Sequence, residues 1–138
     1  MTHIVLVSHG HLADGLLSTA QMIVGDVQGV ETIALQPGMG TEDVLAALRR
    51  IIAATDKEAG ILVLLDLFGG SPATACARVL AADERVEAVT GVNLPMLLEV
   101  LLNKDSLGVK DLARLARDRG KEGVTDIRAV LDEPLPDS

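Results

Sequence analysis

Ile61-Leu62-Val63-Leu64-Leu65-Asp66-Leu67-Phe68-Gly69-Gly70-Ser71-Pro72 is the stretch on which the fold turns. Its first five residues are aliphatic without interruption, as a central strand of a parallel sheet must be when both faces are covered. Ser71-Pro72 then supplies an N-cap and a first-turn proline for a helix expected to reach about Ala82. A buried strand that passes through a glycine turn into a helix is the working half of a βαβ unit.

The same grammar extends in both directions. Ile4 to Val7 reads as a first strand, followed by Leu12, Leu16, Leu17, Ala20, Ile23 and Val24 at helical spacing up to Gly25. Val30 to Leu35 reads as a second strand closed by Pro37-Gly38. Thr41 is expected to cap a helix with the stripe Val44, Leu45, Leu48, Ile51 and Ile52. Val86 to Thr90 is the fourth strand. Pro95 to Leu102 is a helix apolar almost all round, expected to be buried or at a subunit contact, and Asp111 to Arg119 is a charged amphipathic helix. Val124 to Leu131 is expected to add a last strand. The fold class is therefore α/β, an open parallel sheet with helices on both faces, in one domain over residues 1–131 with a flexible tail over 132–138.

Composition removes several functions. Among 138 residues there is one aromatic, Phe68, so the core is aliphatic and stacking platforms for bases are absent. Twelve Lys+Arg stand against twenty Asp+Glu, a net charge of −8 that leaves no basic surface for phosphate backbones, so no nucleic acid is expected. The lone Cys76 can form neither an internal disulfide nor a zinc site, which suits the cytoplasm. No signal peptide is expected, and no apolar run approaches the ~20 residues of a membrane span.

In open α/β sheets ligands sit beyond the carboxyl ends of the strands, where strand order reverses. Ser8-His9-Gly10-His11 follows the first strand, and Asp66 to Pro72 follows the third. If those strands are neighbours, His9 and Asp66 meet at one rim. A carboxylate accepting from one ring N–H of His9 sets its tautomer and leaves the other nitrogen as a nucleophile. Gly69 and Gly70 admit a ligand close to the backbone, and the helix start at Ser71 offers amides to an anion. Each feature alone is an ordinary loop residue, cap or turn; their coincidence points to phosphoryl transfer.

Other candidates carry less. His9 and His11 form an H-x-H pair without a third ligand, so no metal site and no cofactor is expected. His3 opens a strand and is expected to be structural. Gly38-Met39-Gly40-Thr41-Glu42-Asp43 resembles half a dinucleotide loop, but Asp43 would repel a pyrophosphate, and no P-loop pattern exists. Cys76 falls inside a helix and is expected to be packed.

Taken together, the Ile4-to-Val7 strand with Ser8-His9-Gly10, the Asp66-to-Pro72 segment and Gly91-Val92-Asn93-Leu94-Pro95-Met96 resemble the enzyme IIA domain of the mannose family of the bacterial phosphoenolpyruvate-dependent sugar phosphotransferase system. The resemblance implies a phosphotransferase component in which His9 accepts a phosphoryl group from phospho-HPr and passes it to a IIB protein, which acts with membrane IIC and IID subunits. It implies that Asp66 orients His9 and that Gly69, Gly70 and Ser71 receive the phosphoryl oxygens. It further implies strand order 2-1-3-4 and a homodimer exchanging the C-terminal strand. Because the chain stops at Ser138, IIB is expected as a separate polypeptide. The acidic surface would steer HPr, and Phe68 is either a plug at the sheet's rim or an anchor for docking proteins.

Two other functions fit parts of the pattern. The phosphotransfer subunit that feeds dihydroxyacetone kinase shares the fold and the histidine after the first strand, but differs in the Gly-Gly-Ser-Pro region. A receiver-like domain phosphorylated on Asp66 would need an acidic cluster after its first strand, where this chain has Ser8-His9-Gly10. A regulatory role read from the phosphorylation state is compatible with transport.

Overall fold

The alternation of apolar runs and helical stripes becomes a four-stranded sheet sandwiched between helices. The computed structural model describes residues 1–134. The order is β1 (Thr2–His9), α1 (Leu12–Val24), β2 (Val30–Leu35), α2 (Thr41–Ala54), β3 (Gly60–Leu65), α3 (Gly70–Ala82), β4 (Val86–Thr90), α4 (Leu94–Asn103), α5 (Val109–Glu122) and α6 (Ile127–Leu131). All strand pairs are parallel, in the order β2-β1-β3-β4. The chain first builds outward from β1 to β2 and then returns to lay β3 on the other side. That reversal lies between β1 and β3, where Val7 is in register with Leu65.

Alternation along the central strands divides the core. Val5, Val7, Ile61, Val63 and Leu65 face α2 and α3, against Val44, Leu45, Leu48, Ala75 and Val79. Ile4, Leu6, Leu62 and Leu64 face the opposite layer, against Ala20 of α1, Leu97 and Val100 of α4 and Leu112 and Ala116 of α5. Full burial of each such aliphatic side chain contributes about 1.5–3 kcal/mol. The all-apolar helix α4 buries Met96, Leu97, Val100 and Leu101 in this second layer and leaves Leu102 exposed. Asn93 holds it in place, accepting from the Met96 amide at 3.0 Å and donating to Gly120 O of α5 at 2.9 Å. A Cβ at Gly120 would lie 2.6 Å from Met96 Cε, so glycine is what lets α5 approach.

Three sequence expectations change. Thr41 is the first residue of α2 and Gly40 its N-cap, because the Asp43 carboxylate reaches back to the Gly40 amide at 2.8 Å. Ser71 is likewise not the cap of α3: the helix starts at Gly70 with Gly69 as N-cap. Glycines at φ +149° and +72° make that turn through backbone alone.

The third change is the largest. Residues 124–131 form no strand; Asp126 accepts from the amides of Arg128 and Ala129 and starts the short helix α6. The segment pairs with neither outer edge of the sheet, β2 or β4, and its backbone amides are met within α6 instead. Val124, Ile127, Val130 and Leu131 are left exposed. Of the expected tail, residues 135–138 lie outside the described residues. Among the described residues no helix is long and apolar enough to cross a membrane.

Candidate functional site

His9 is the last residue of β1, and the loop that follows is braced from below. The side chain of Ser8 is fully buried; its hydroxyl accepts from the Ala13 amide at 2.8 Å and donates to Gly10 O at 3.2 Å. It therefore satisfies an amide in the first turn of α1, whose N-cap position, His11, supplies no side-chain cap. Gly10, at φ +57°, donates its amide to Leu35 O of β2 at 2.9 Å. The backbone on either side of His9 is thus fixed while its ring remains 46% exposed.

Asp66 lies across the switch point from it. Its Oδ2 accepts from the His9 backbone amide at 2.8 Å and faces His9 Nδ1 at 3.0 Å. Its Oδ1 accepts from the Leu67 amide at 2.9 Å, and its own amide donates to Val7 O at 3.2 Å. An ionised carboxylate only accepts, so Nδ1 carries the proton and Nε2 the lone pair. Burial of the Asp66 side chain pushes its pKa up. The His9 amide, the His9 ring and the Leu67 amide outweigh that push and hold the carboxyl below its ordinary range.

The free nitrogen faces the start of α3. A Cβ on Gly70 would lie 3.4 Å from His9 Nε2, and φ is +72° there, so glycine serves both the turn and the clearance. No side chain caps this helix. The first-turn amides and the positive end of the helix dipole are therefore available to an anion beside Nε2. Ser71 sits in that first turn rather than ahead of it. Phe68 is 88% exposed and Leu67 49%, so Phe68 does not plug the rim; the two project as an apolar lip beside the histidine.

Ser8 is the residue whose role sequence reasoning missed, and only its position at the end of an apolar run hinted at burial. A second polar chain also went unread. His11 Nδ1 meets Asp14 Oδ2 at 3.2 Å, Thr32 donates to Asp14 Oδ1 at 2.6 Å, and Gln36 Nε2 lies 3.4 Å from His11 Nε2. His11 is committed to that chain rather than paired with His9, and no group of three His, Cys, Asp or Glu side chains suited to a metal occurs among the described residues. Burial pushes the Cys76 thiol up to about 12, leaving no thiolate for chemistry at neutral pH.

The resemblance seen in the sequence extends to comparison with known proteins. The family profile described as "PTS system fructose IIA component" matches residues 3–116. The chain is 37% identical over 127 residues to the mannose-specific EIIAB component of Escherichia coli (strain K12), a match that covers 91% of this chain and 39% of that protein. It is 32% identical over 112 residues to the fructose-specific EIIA component of Bacillus subtilis (strain 168), covering 81% and 77% of the two chains. The crystal structure of an EIIA component from Streptococcus agalactiae superposes with a TM-score of 0.86 at 32% identity, over 94% of this chain and 99% of that one. With sheet order, switch-point site and sequence in agreement, the chain belongs to the mannose-type EIIA family of the sugar phosphotransferase system.

Proposed function

We propose that His9 is a phosphoryl carrier that takes its phosphoryl group from phospho-HPr and hands it to a IIB domain, which works with membrane IIC and IID subunits at the cytoplasmic face. The Nε2 lone pair attacks phosphorus as the bond to the donor nitrogen breaks, and that nitrogen leaves with the electron pair. The positive charge that develops on the His9 ring is held at Nδ1–H by Asp66. The phosphoryl oxygens turn toward the amides of Gly70 and Ser71, with Gly69 giving the loop its turn. The observation that carries this reading is one carboxylate oxygen holding both the amide and Nδ1 of His9, which leaves Nε2 bare and facing a helix start.

Labelled phosphoenolpyruvate with enzyme I and HPr tests it. Label is expected on the wild type and on His11→Ala, and none on His9→Ala. The linkage should be acid-labile and base-stable. A base-labile acyl phosphate on Asp66 would overturn the assignment, and transfer onward to a dihydroxyacetone kinase rather than to IIB would move the chain to that system. Phe68, exposed beside His9, is the anchor we assign to the docking proteins, with the net charge of −8 steering a basic HPr face toward the rim.

The same reading includes a homodimer. Among the described residues the outer edge of β4 has no paired strand, and beside it a groove of ≈ 700 Å³ is lined by Ala88, Thr90, Ala113 and Arg117 among others. The exposed apolar residues Val124, Ile127, Val130 and Leu131 are the segment we place in that groove of a second copy. Deleting residues 124–138 is expected to leave the far-ultraviolet circular dichroism near that of the full chain. Sedimentation velocity should then show the dimer reduced to monomer.

A further inference from the structure

We infer that the amino end of the sheet carries a second binding site, for a neutral polyhydroxylated small molecule. A cavity of ≈ 660 Å³ opens there, at the starts of β1 and β2 and the ends of α1, α2 and α4. It lies at the opposite end of β1 from His9 and is independent of phosphoryl transfer.

The cavity contains a lysine that the fold does not otherwise explain. Lys104 caps the carboxyl end of α4, and its carbonyl accepts from the Thr2 amide at 3.0 Å, so its backbone is tied to β1. Its side chain is only 9% exposed, yet its ammonium has a single contact among the described residues, 3.4 Å from Oδ1 of the exposed Asp105. With one long hydrogen bond, the three-donor ammonium has donors left for acceptors brought into the cavity it lines.

Its neighbour supplies the complementary half. His3 Nε2 lies 2.6 Å from Glu31 Oε2. In the neutral ring that bond places the proton on Nε2 and leaves Nδ1 an acceptor. Gly29, at φ +74°, stands between the two nitrogens: a Cβ there would lie 3.6 Å from Lys104 Nζ and 3.7 Å from His3 Nδ1. The side-chain-free face of Gly29 is thus flanked by a donor and by an acceptor. A hydroxyl is the group that accepts from one and donates to the other.

Charge selects among hydroxylated molecules. Asp26, Glu31, Asp56 and Asp105 line the cavity; among the described residues the cations there are Lys104 and the amino terminus of Met1, so carboxylates are in excess. A phosphate ester or a carboxylate meets net repulsion, whereas further hydroxyls donate to these carboxylates. The apolar walls, Val27 and Leu101 among them, suit the C–H faces of a polyol.

Nuclear magnetic resonance titration with sorbitol, mannose and fructose tests the site, with mannose 6-phosphate as the charged counterpart. At least one neutral probe is expected to shift the resonances of His3, Gly29 and Lys104 saturably at millimolar concentration, with the phosphate ester at least about tenfold weaker. Lys104→Met keeps the stem length and removes the donors; it is expected to weaken binding about tenfold or more while His9 labelling is unchanged. His3→Gln, on the exposed side of the cavity, provides a second variant with the same expected direction. Absence of saturable shifts with all three polyols, tighter binding of the phosphate ester, or shifts that survive Lys104→Met would each overturn the inference.

Discussion

The first strand carries a histidine–carboxylate pair at each end, and the two are built in opposite ways. At the amino end His3 meets Glu31 at 2.6 Å, with the ring 19% exposed and the carboxylate 50%. At the carboxyl end His9 meets Asp66 at 3.0 Å, with the ring 46% exposed and the carboxylate 9%. Distance alone would favour the pair at the amino end over the one we propose as the phosphoryl site. The difference lies in which partner the fold immobilises. Asp66 is held by two backbone amides and the ring turns outward, so the geometry presents a nitrogen. At the amino end the ring is the tucked-in partner and Glu31 the exposed one.

The largest expected effect breaks this comparison directly. Exchanging the roles one histidine at a time, His9→Ala should abolish labelling from phosphoenolpyruvate, while His3→Ala should leave the initial rate within about twofold. Equal loss in both would mean that the two ends of β1 are not distinct. The carboxylates come next. Asp66→Asn keeps the side-chain shape but removes the charge facing Nδ1, and a hydrogen bond to a charged group is worth roughly 1.5–3 kcal/mol. Rapid-quench phosphoryl transfer is therefore expected to slow about 10- to 100-fold, with the folded circular dichroism spectrum intact. Glu31→Gln should change that rate little.

These contrasts also show what was legible in the sequence. Strand identities, the helices on two faces and the meeting of His9 with Asp66 follow from local patterns: aliphatic runs, helical stripes, and the rule that sites gather beyond strand ends. The helix starts were misread at Thr41 and Ser71, because capping propensity treats a hydroxyl as the cap. In the fold, Asp43 satisfies Gly40 from inside α2, and two glycines turn the chain ahead of α3. Val124 to Leu131 alternates like a strand, but alternation does not weigh the Asp126 carboxylate, which accepts from the Arg128 and Ala129 amides and starts a helix there. Ser8 and Lys104 were illegible for a related reason. Their importance comes from burial beside groups distant in sequence, Ala13 in one case and His3 with Gly29 in the other.

Gly70 sharpens the comparison on the backbone side. Nothing at the His3 end places a helix start against a ring nitrogen. Gly70→Ala forces an L side chain into φ +72° and sets a methyl 3.4 Å from Nε2. The conformational strain is about 1–2 kcal/mol, visible as a lower midpoint in urea denaturation. Phosphoryl transfer should fall by more than that loss of stability accounts for, because the methyl occupies the approach to the nucleophile. A variant that loses stability but transfers at the wild-type rate would remove Gly70 from the site.

The smallest expected effect concerns acid. Asp66 has a folded pKa below its ordinary value of about 4, so its charge stabilises the folded state. That stabilisation is complete above the unfolded value and disappears as pH falls through the folded one. Thermal melts of wild type and Asp66→Asn should therefore differ by a constant amount from neutrality down to about pH 5. The two curves should converge only below about pH 4, as Asp66 takes up its proton. A difference that already closes above pH 5 would take the linkage away from Asp66. The buried, amide-held carboxylate would then no longer be what separates the two ends of β1.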